Sequence, residues 1–309
     1  MSLTAKAGDA LGQAGPLTRI IFPFAAGGSG DALCRVVAQH LGPSLDRNVI
    51  VENRTGGDGL IGIKSVKSAA PDGSTILVTT GPTMYLLPMT EVTPSFDTAR
   101  DFVPVSLLAR FEFAVVASPA IAGDFAQFVA WLKANPGKAT FGVPSSGTIP
   151  HFIGSRLEQV LGTPMTRVAY RGSAPIVNDL LGGHLPFGIT TVADVAAQHR
   201  AGGVRILAVS SAARSPFLPD VPTLKDGGVD LVADAWYGTW LPAGSPPEFV
   251  RQLSTAAVAA LAKPEVREKL LAIGLIPVGT TPEALTAELA ANTAFWQPIV
   301  KATGYKITN

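Results

Sequence analysis

The chain has 309 residues, with 24 Lys plus Arg against 23 Asp plus Glu and a net charge of +1 at pH 7. That balance argues against a nucleic-acid binder, which shows a basic face or a high pI. A content of 47% hydrophobic and 15% charged residues excludes a disordered chain. The length predicts two lobes, and 32 Gly with 25 Pro predict a turn-rich globule. No run approaches the roughly 18 apolar residues of a membrane helix, because Arg110 and Glu112 interrupt the longest candidate. The single cysteine, Cys34, excludes an intrachain disulfide and a Cys-based zinc site. Near the start there is neither a basic n-region nor an apolar h-region. That describes a cytoplasmic protein and, equally, a mature exported one whose leader is absent.

In chain order, residues 1–15 are small and Gly-rich and are expected to stand outside the lobes. Leu17–Phe24 reads as a strand, followed by a glycine loop and then a helix with Leu33, Val36, Val37 and Leu41 on one face, stopped by Gly42-Pro43. Val49–Val51 reads as a buried strand, 61–70 as a helix, and the β-branched run Thr75–Thr79 as a strand. This order implies a parallel, doubly wound sheet. After Ser118-Pro119 a second β-α-β-α-β round follows: helix 125–134, strand 140–143, helix 152–161, strand 166–170, helix 175–181, strand 187–191, helix 192–200 and strand 204–210. The tail reads as three helices, 247–262, 264–273 and 282–303, each with Pro in or near its first turn.

Two strand–loop–helix junctions match each other. Gly27, Gly28 and Gly30 permit close backbone approach before the first helix, whose free N–H groups and dipole favour an anion. Ser145, Ser146, Gly147 and Thr148 repeat the arrangement with hydroxyls added. Either is a plausible carboxylate or phosphate site, and two at equivalent places strengthen the reading, since ligands of such sheets sit at the carboxyl ends of strands. Asp31 reads chiefly as a favourable charge in the first helical turn, with orienting the loop or meeting an ammonium as the alternative. His151 is placed to donate to the second loop or a ligand, with a capping or core role equally open; His40, His184 and His199 read as solvated. Arg171 ends a strand that points at the cleft and could fork onto a distal carboxylate. Trp236, Tyr237 and Trp240 read as core packing, with cleft lining the lesser alternative.

Gly57-Asp58-Gly59-Leu60-Ile61-Gly62 fits the dinucleotide fingerprint G-x-G-x-x-G, but on the second βα turn and without the acid at the next strand end, which closes in Thr79-Thr80-Gly81. No pair of histidines has metal-ligand spacing and there is no G-x-S-x-G elbow.

The chain resembles the Bug receptors, the extracytoplasmic solute receptors of tripartite tricarboxylate transporters. The likeness spans residues 17–307 and is carried by Phe22-Pro23-Phe24 with Gly27-Gly28 and Asp31, Val51-Glu52-Asn53-Arg54, and Ala70-Pro71-Asp72-Gly73. It continues through Pro136-Gly137-Lys138, Gly147-Thr148 with His151, and Tyr170-Arg171-Gly172-Ser173-Ala174-Pro175. Asp179-Leu180-Leu181-Gly182-Gly183, Leu207-Ala208-Val209, Leu218 to Thr223 and Pro242-Ala243-Gly244 complete it. The resemblance implies an α/β fold of the type II periplasmic-binding-protein kind, two doubly wound lobes joined by a hinge. It implies that the loops matching Phe24, Ala25, Gly27, Gly28 and Ser29, and Ser145 to Thr148, grip one carboxylate, partly through water. Tyr170, Arg171, Gly172 and the region of Asp194 would read the distal end. In the family the second loop usually reads S-x-G-x-G-T, where this chain has Val143 and Ser145; the stretch holding Gly81 and Thr83 lacks the usual His or Asn, leaving a more apolar edge.

The expectation is therefore a periplasmic receptor, leader removed, that captures a small organic acid and delivers it to the membrane components of such a transporter. It would act as a monomer without catalytic residues, cofactor, metal or nucleic acid. Lobe 1 is expected over 16–118 and 235–309, lobe 2 over 119–234, with hinge crossings near 117–119 and 234–237. A dinucleotide-dependent enzyme and a sensory effector-binding protein are the alternatives.

Overall fold

The computed structural model describes residues 15–121 and 123–306. The expectation for the first 15 residues falls almost wholly outside them. The chain forms two α/β lobes that share one long strand.

Lobe 1 opens with β1 (Leu17–Phe22), α1 (Ser29–Leu45), β2 (Asn48–Asn53), α2 (Leu60–Lys67), β3 (Thr75–Thr80), α3 (Gly81–Thr90) and the short α4 (Thr98–Asp101). Strand β1 pairs in parallel with both β2 and β3, as the β-α-β-α-β pattern predicts. Helix α1 buries Leu33, Val37, Leu41 and Leu45. Gly42-Pro43 does not stop it: the helix runs on to Leu45 and ends where Asp46 turns left-handed at φ 51° and donates its N–H to the Gly42 carbonyl.

The sequence reading assigned no element to β4 (Phe102–Ala117), which joins the lobes. Phe102 to Glu112 pair antiparallel with β9 (Asp234–Pro242), and β9 in turn lies beside β3. From Phe113 onward β4 pairs with lobe-2 strands. Sheet pairing along β4 thus changes between Glu112 and Phe113, and the chain rejoins the first sheet through β9 from Asp234. Periodicity hid β4 because both faces are covered along most of its length, leaving no alternation to read.

Lobe 2 consists of α5 (Phe125–Ala134), β5 (Thr140–Val143), α6 (Ile149–Leu161), β6 (Thr166–Ala169), α7 (Ser173–Leu181), β7 (Phe187–Thr191), α8 (Val192–Arg200) and β8 (Arg205–Val209). Strand β5 lies parallel between β6 and β7, while β7 and β8 both run antiparallel to β4. An Asp124–Gln127 capping box starts α5. His199, read as solvated, is half-buried and accepts a hydrogen bond from Ile206 N at 3.2 Å. After β9 come α9 (Pro247–Ala262), α10 (Pro264–Ala272), β10 (Ile276–Pro277) and α11 (Pro282–Thr303). Helices α9 and α11 pack back on β4, α1 and α3, so the tail completes lobe 1.

Candidate functional site

Five strand-to-helix junctions meet at one cavity between the lobes: β1 to α1 and β3 to α3 from lobe 1, and β5 to α6, β6 to α7 and β7 to α8 from lobe 2. Open α/β sheets place ligands at such carboxyl ends of strands. Phe111 and Phe113 line the cavity on either side of the point where β4 changes sheets, their rings 5.3 Å apart and edge to face. About 50 Å³ of the cavity admits the centres of water molecules, room for about three to five waters.

The β1–α1 loop is held by Asp31, buried in the first turn of α1. Its Oδ2 accepts from Gly27 N at 3.1 Å, Arg35 forks onto both oxygens at 3.0 Å, and Asn53 Nδ2 reaches Oδ1 at 3.1 Å. Asn53 also donates to the Phe24 carbonyl at 3.1 Å, so one cluster fixes both ends of the turn. Burial pushes the Asp31 carboxyl up, but the hydrogen bonds from Arg35, Gly27 and Asn53 outweigh it and hold its pKa below the usual value. Of the two roles read for Asp31, orienting the loop is the one this geometry shows. Gly30 is needed for close approach: a Cβ there would lie 2.4 Å from the Phe22 ring and 2.8 Å from that of Tyr237.

The β5–α6 loop is held from within lobe 2. Thr148 Oγ1 donates to the Ser145 carbonyl at 2.8 Å, and Gly147, at φ 65°, donates its N–H to His151 Nδ1 at 3.2 Å. His151 therefore accepts from the loop; the sequence reading had left donation to the loop or a ligand and a capping or core role equally open. Burial, aided by the Arg167 charge, lowers its pKa to about 4, so the ring is neutral and suited to accept. Arg167 Nη1 donates to Ser146 Oγ and stands over the Tyr305 ring, 5.8 Å from its centre.

Across the cavity, each turn binds a carboxylate of the opposite lobe. Ser29 N, at the start of α1, donates to Asp194 Oδ1 at 2.5 Å. Ser146 N and Ser145 Oγ donate to Asp58 Oδ1 at 3.0 and 3.2 Å. A third link joins Ala25 N to the Arg171 carbonyl at 2.9 Å. Inside the cavity Ser29 Oγ lies 3.4 Å from Thr191 Oγ1 and 3.5 Å from Tyr237 Oη.

Of the residues named from the sequence, Phe24, Ala25, Gly28, Ser29, Ser145, Thr148, Gly172 and Asp194 line the cavity. Gly27, Asp31, Ser146, Gly147 and His151 stand behind it and hold the loops. Gly81 and Thr83 flank the residue that faces it, Pro82: Gly81 is pressed on Trp236, where a Cβ would come within 2.4 Å of the indole, and Thr83 N donates to Thr80 Oγ1. Arg171 is not brought in; its side chain is exposed, and with Tyr170 and Asp58 it borders a neighbouring pocket. Tyr170 Oη donates to Asp179 at 2.7 Å. The reading missed Phe22, Thr80, Phe111, Phe113, Pro144, Pro150 and Thr191 as lining residues and took Tyr237 chiefly as core. Thr80 and Thr191 were findable: each ends a strand and caps the helix that follows, through Thr83 N and Asp194 N. Among the described residues no group of three or more His, Cys, Asp or Glu side chains could hold a metal ion.

The family model of the tripartite tricarboxylate transporter family receptor, TctC, matches residues 33–305. The chain belongs to this family. It is 32% identical over 293 residues to the protein BugT of Bordetella pertussis, covering 94% of this chain and 90% of that one. Its fold is similar to that of the periplasmic binding protein BugD, with a TM-score of 0.90, 29% identity, and coverage of 94% and 98%. It is similar also to Rpa4515 of R. palustris, solved with adipate, with a TM-score of 0.89, 28% identity, and coverage of 94% and 98%. TctC receptors are periplasmic solute-binding proteins and not enzymes. Among the described residues of this TctC receptor no helix is long and apolar enough to cross a membrane.

Proposed function

We propose that this TctC receptor captures a small carboxylic acid between its lobes and hands it to the membrane components of a tripartite tricarboxylate transporter. It would do so as a monomer in the periplasm, its export leader removed, and without catalysing a reaction. One observation carries the reading: at the cavity the start of α1 already holds a carboxylate, that of Asp194, on the Ser29 amide. A helix N-terminus that accepts a tethered carboxylate accepts a free one by the same charge-assisted hydrogen bonds.

Asp194 lines the cavity and Ser29 faces it from the other lobe. Parting the lobes separates these two, frees the Ser29 amide for the acid, and enlarges a cavity that is small when shut. We place the lobes at 16–118 with 235–309 and at 119–234, and the bending at the two strand crossings, where sheet pairing on β4 changes at Glu112–Phe113. Within the site, Phe24, Ala25, Gly28 and Ser29 would meet the acid from lobe 1, and Ser145, Thr148 and Gly172 from lobe 2, with Asp194 giving up the Ser29 amide to it. Gly27, Asp31, Ser146, Gly147 and His151 would position these turns.

A thermal-shift panel of mono-, di- and tricarboxylic acids beside NAD and nucleotides tests the reading. An acid at about 100 times its Kd adds about 2.7 kcal/mol of stability, a rise of roughly 5–10 °C for a protein of this size. Shifts with nucleotides and none with any acid would overturn it.

A further inference from the structure

The segment Gly56 to Gly59 is left unexplained by the site as described so far. It holds the start of the dinucleotide fingerprint Gly57 to Gly62, which lies on the second βα turn. All four residues have positive φ, 120°, 54°, 55° and 96°, and the third is Asp58, one of two non-glycine residues with positive φ among the described residues. Glycine adopts that conformation freely, and aspartate is one of the few other residues that enters it. The carboxylate it carries does not face solvent alone: it crosses to lobe 2, where Ser146 N and Ser145 Oγ both donate to its Oδ1. Unlike Asp194, Asp58 does not line the cavity; it borders the adjoining pocket with Tyr170 and Arg171. A ligand in the cavity can therefore enter without displacing it.

We propose that Asp58 is a positioning residue of the binding site, reaching from lobe 1 to set the Ser145–Thr148 loop of lobe 2 only when the lobes are closed. The inference rests on the carboxylate-receptor reading for its purpose, but the contact belongs to the protein itself. The loop's amide and hydroxyl donors are then ordered by closure, so that a guest meets a finished site only in the shut form. Asp194 and Asp58 differ in consequence. One occupies a position the guest takes over; the other holds its partner loop throughout.

The test uses the protein alone, so it stands or falls separately from the acid panel. Asp58→Gly removes the carboxylate and leaves a residue that accepts φ 55° without strain, so the turn itself is preserved. Asp58→Asn keeps an acceptor oxygen at the same position. In Asp58→Gly, hydrogen exchange at the Ser146 amide should quicken at least tenfold, and small-angle scattering should report a larger radius of gyration. Asp58→Asn should restore most of both. Unchanged exchange and scattering in Asp58→Gly, or equal effects in the two variants, would overturn the assignment. No acid binding by the unsubstituted protein, with these two readouts as expected, would instead remove the receptor reading and leave the contact standing.

Discussion

Asp31→Ala is expected to destabilise the protein by about 2–4 kcal/mol and to abolish tight binding of whichever acid the panel identifies. The side chain is buried and satisfies three donors at once, Gly27 N, the Arg35 guanidinium and Asn53 Nδ2. Truncation takes that acceptor from the exposed Gly27 amide and from the half-buried Asn53 carboxamide, which keeps its bond to Phe24, so each loses at most the worth of a hydrogen bond to a charged group, about 1.5–3 kcal/mol. Arg35 is half exposed and recovers much of its hydration, so the ion pair itself contributes the smaller share. Asp31→Asn keeps one acceptor oxygen and should lose about half as much. Urea unfolding midpoints read the stability and calorimetric titration reads the affinity; a cost below about 0.5 kcal/mol with affinity intact would show that the loop holds itself. The pH signature is distinct. Because the folded pKa lies below the unfolded value near 3.8, the Asp31 contribution is present above that value and is lost as pH falls through the lower one.

A second expected result lies at higher pH and involves His151. With a folded pKa of about 4 against 6.5 unfolded, the unfolded chain binds the extra proton between these values. Stability therefore falls as pH drops from about 6.5 to 4, by about 3 kcal/mol at pH 4 from this group alone. Protonation also ends the acceptance from Gly147 N, so the β5–α6 loop loosens over the same window. Glu112 acts oppositely there, since burial raises its carboxyl pKa; for that reason the variant His151→Asn, not the wild type alone, isolates the effect. Asn offers an oxygen near the Nδ1 position and does not titrate. It loses ring packing on Phe152 and Tyr305 at every pH, but the slope of stability against pH should drop by close to one proton. Parallel curves for the two proteins would show that the folded chain does not hold His151 neutral over this window.

Much of the architecture was legible because it is local. The i, i+3, i+4 face of α1, the Pro starts of α9, α10 and α11, and the β-branched run of β3 each follow from neighbours in sequence, and each was found within a few residues. Gly42-Pro43 misled because a proline in the last turn gives up only a hydrogen bond near the helix end, so α1 continued past it. The turns Phe24–Ser29 and Ser145–Thr148 were legible as sites from glycine and hydroxyl content at the start of helices.

By itself, the amino-acid order determined most of the elements, though not β4, β9 or α3, with the two α/β rounds and the junctions where an anion fits, since backbone freedom and helix termini are properties of short segments. Tertiary structure alone decided that β4 spans both sheets, that Phe111, Phe113, Thr80 and Thr191 wall the cavity, and that Arg171 stays outside it. It alone matched Asp194 to Ser29 and Asp58 to Ser146, pairs 165 and 88 residues apart. A hydrogen bond across two lobes depends on how the lobes sit together, and no local pattern encodes that relation.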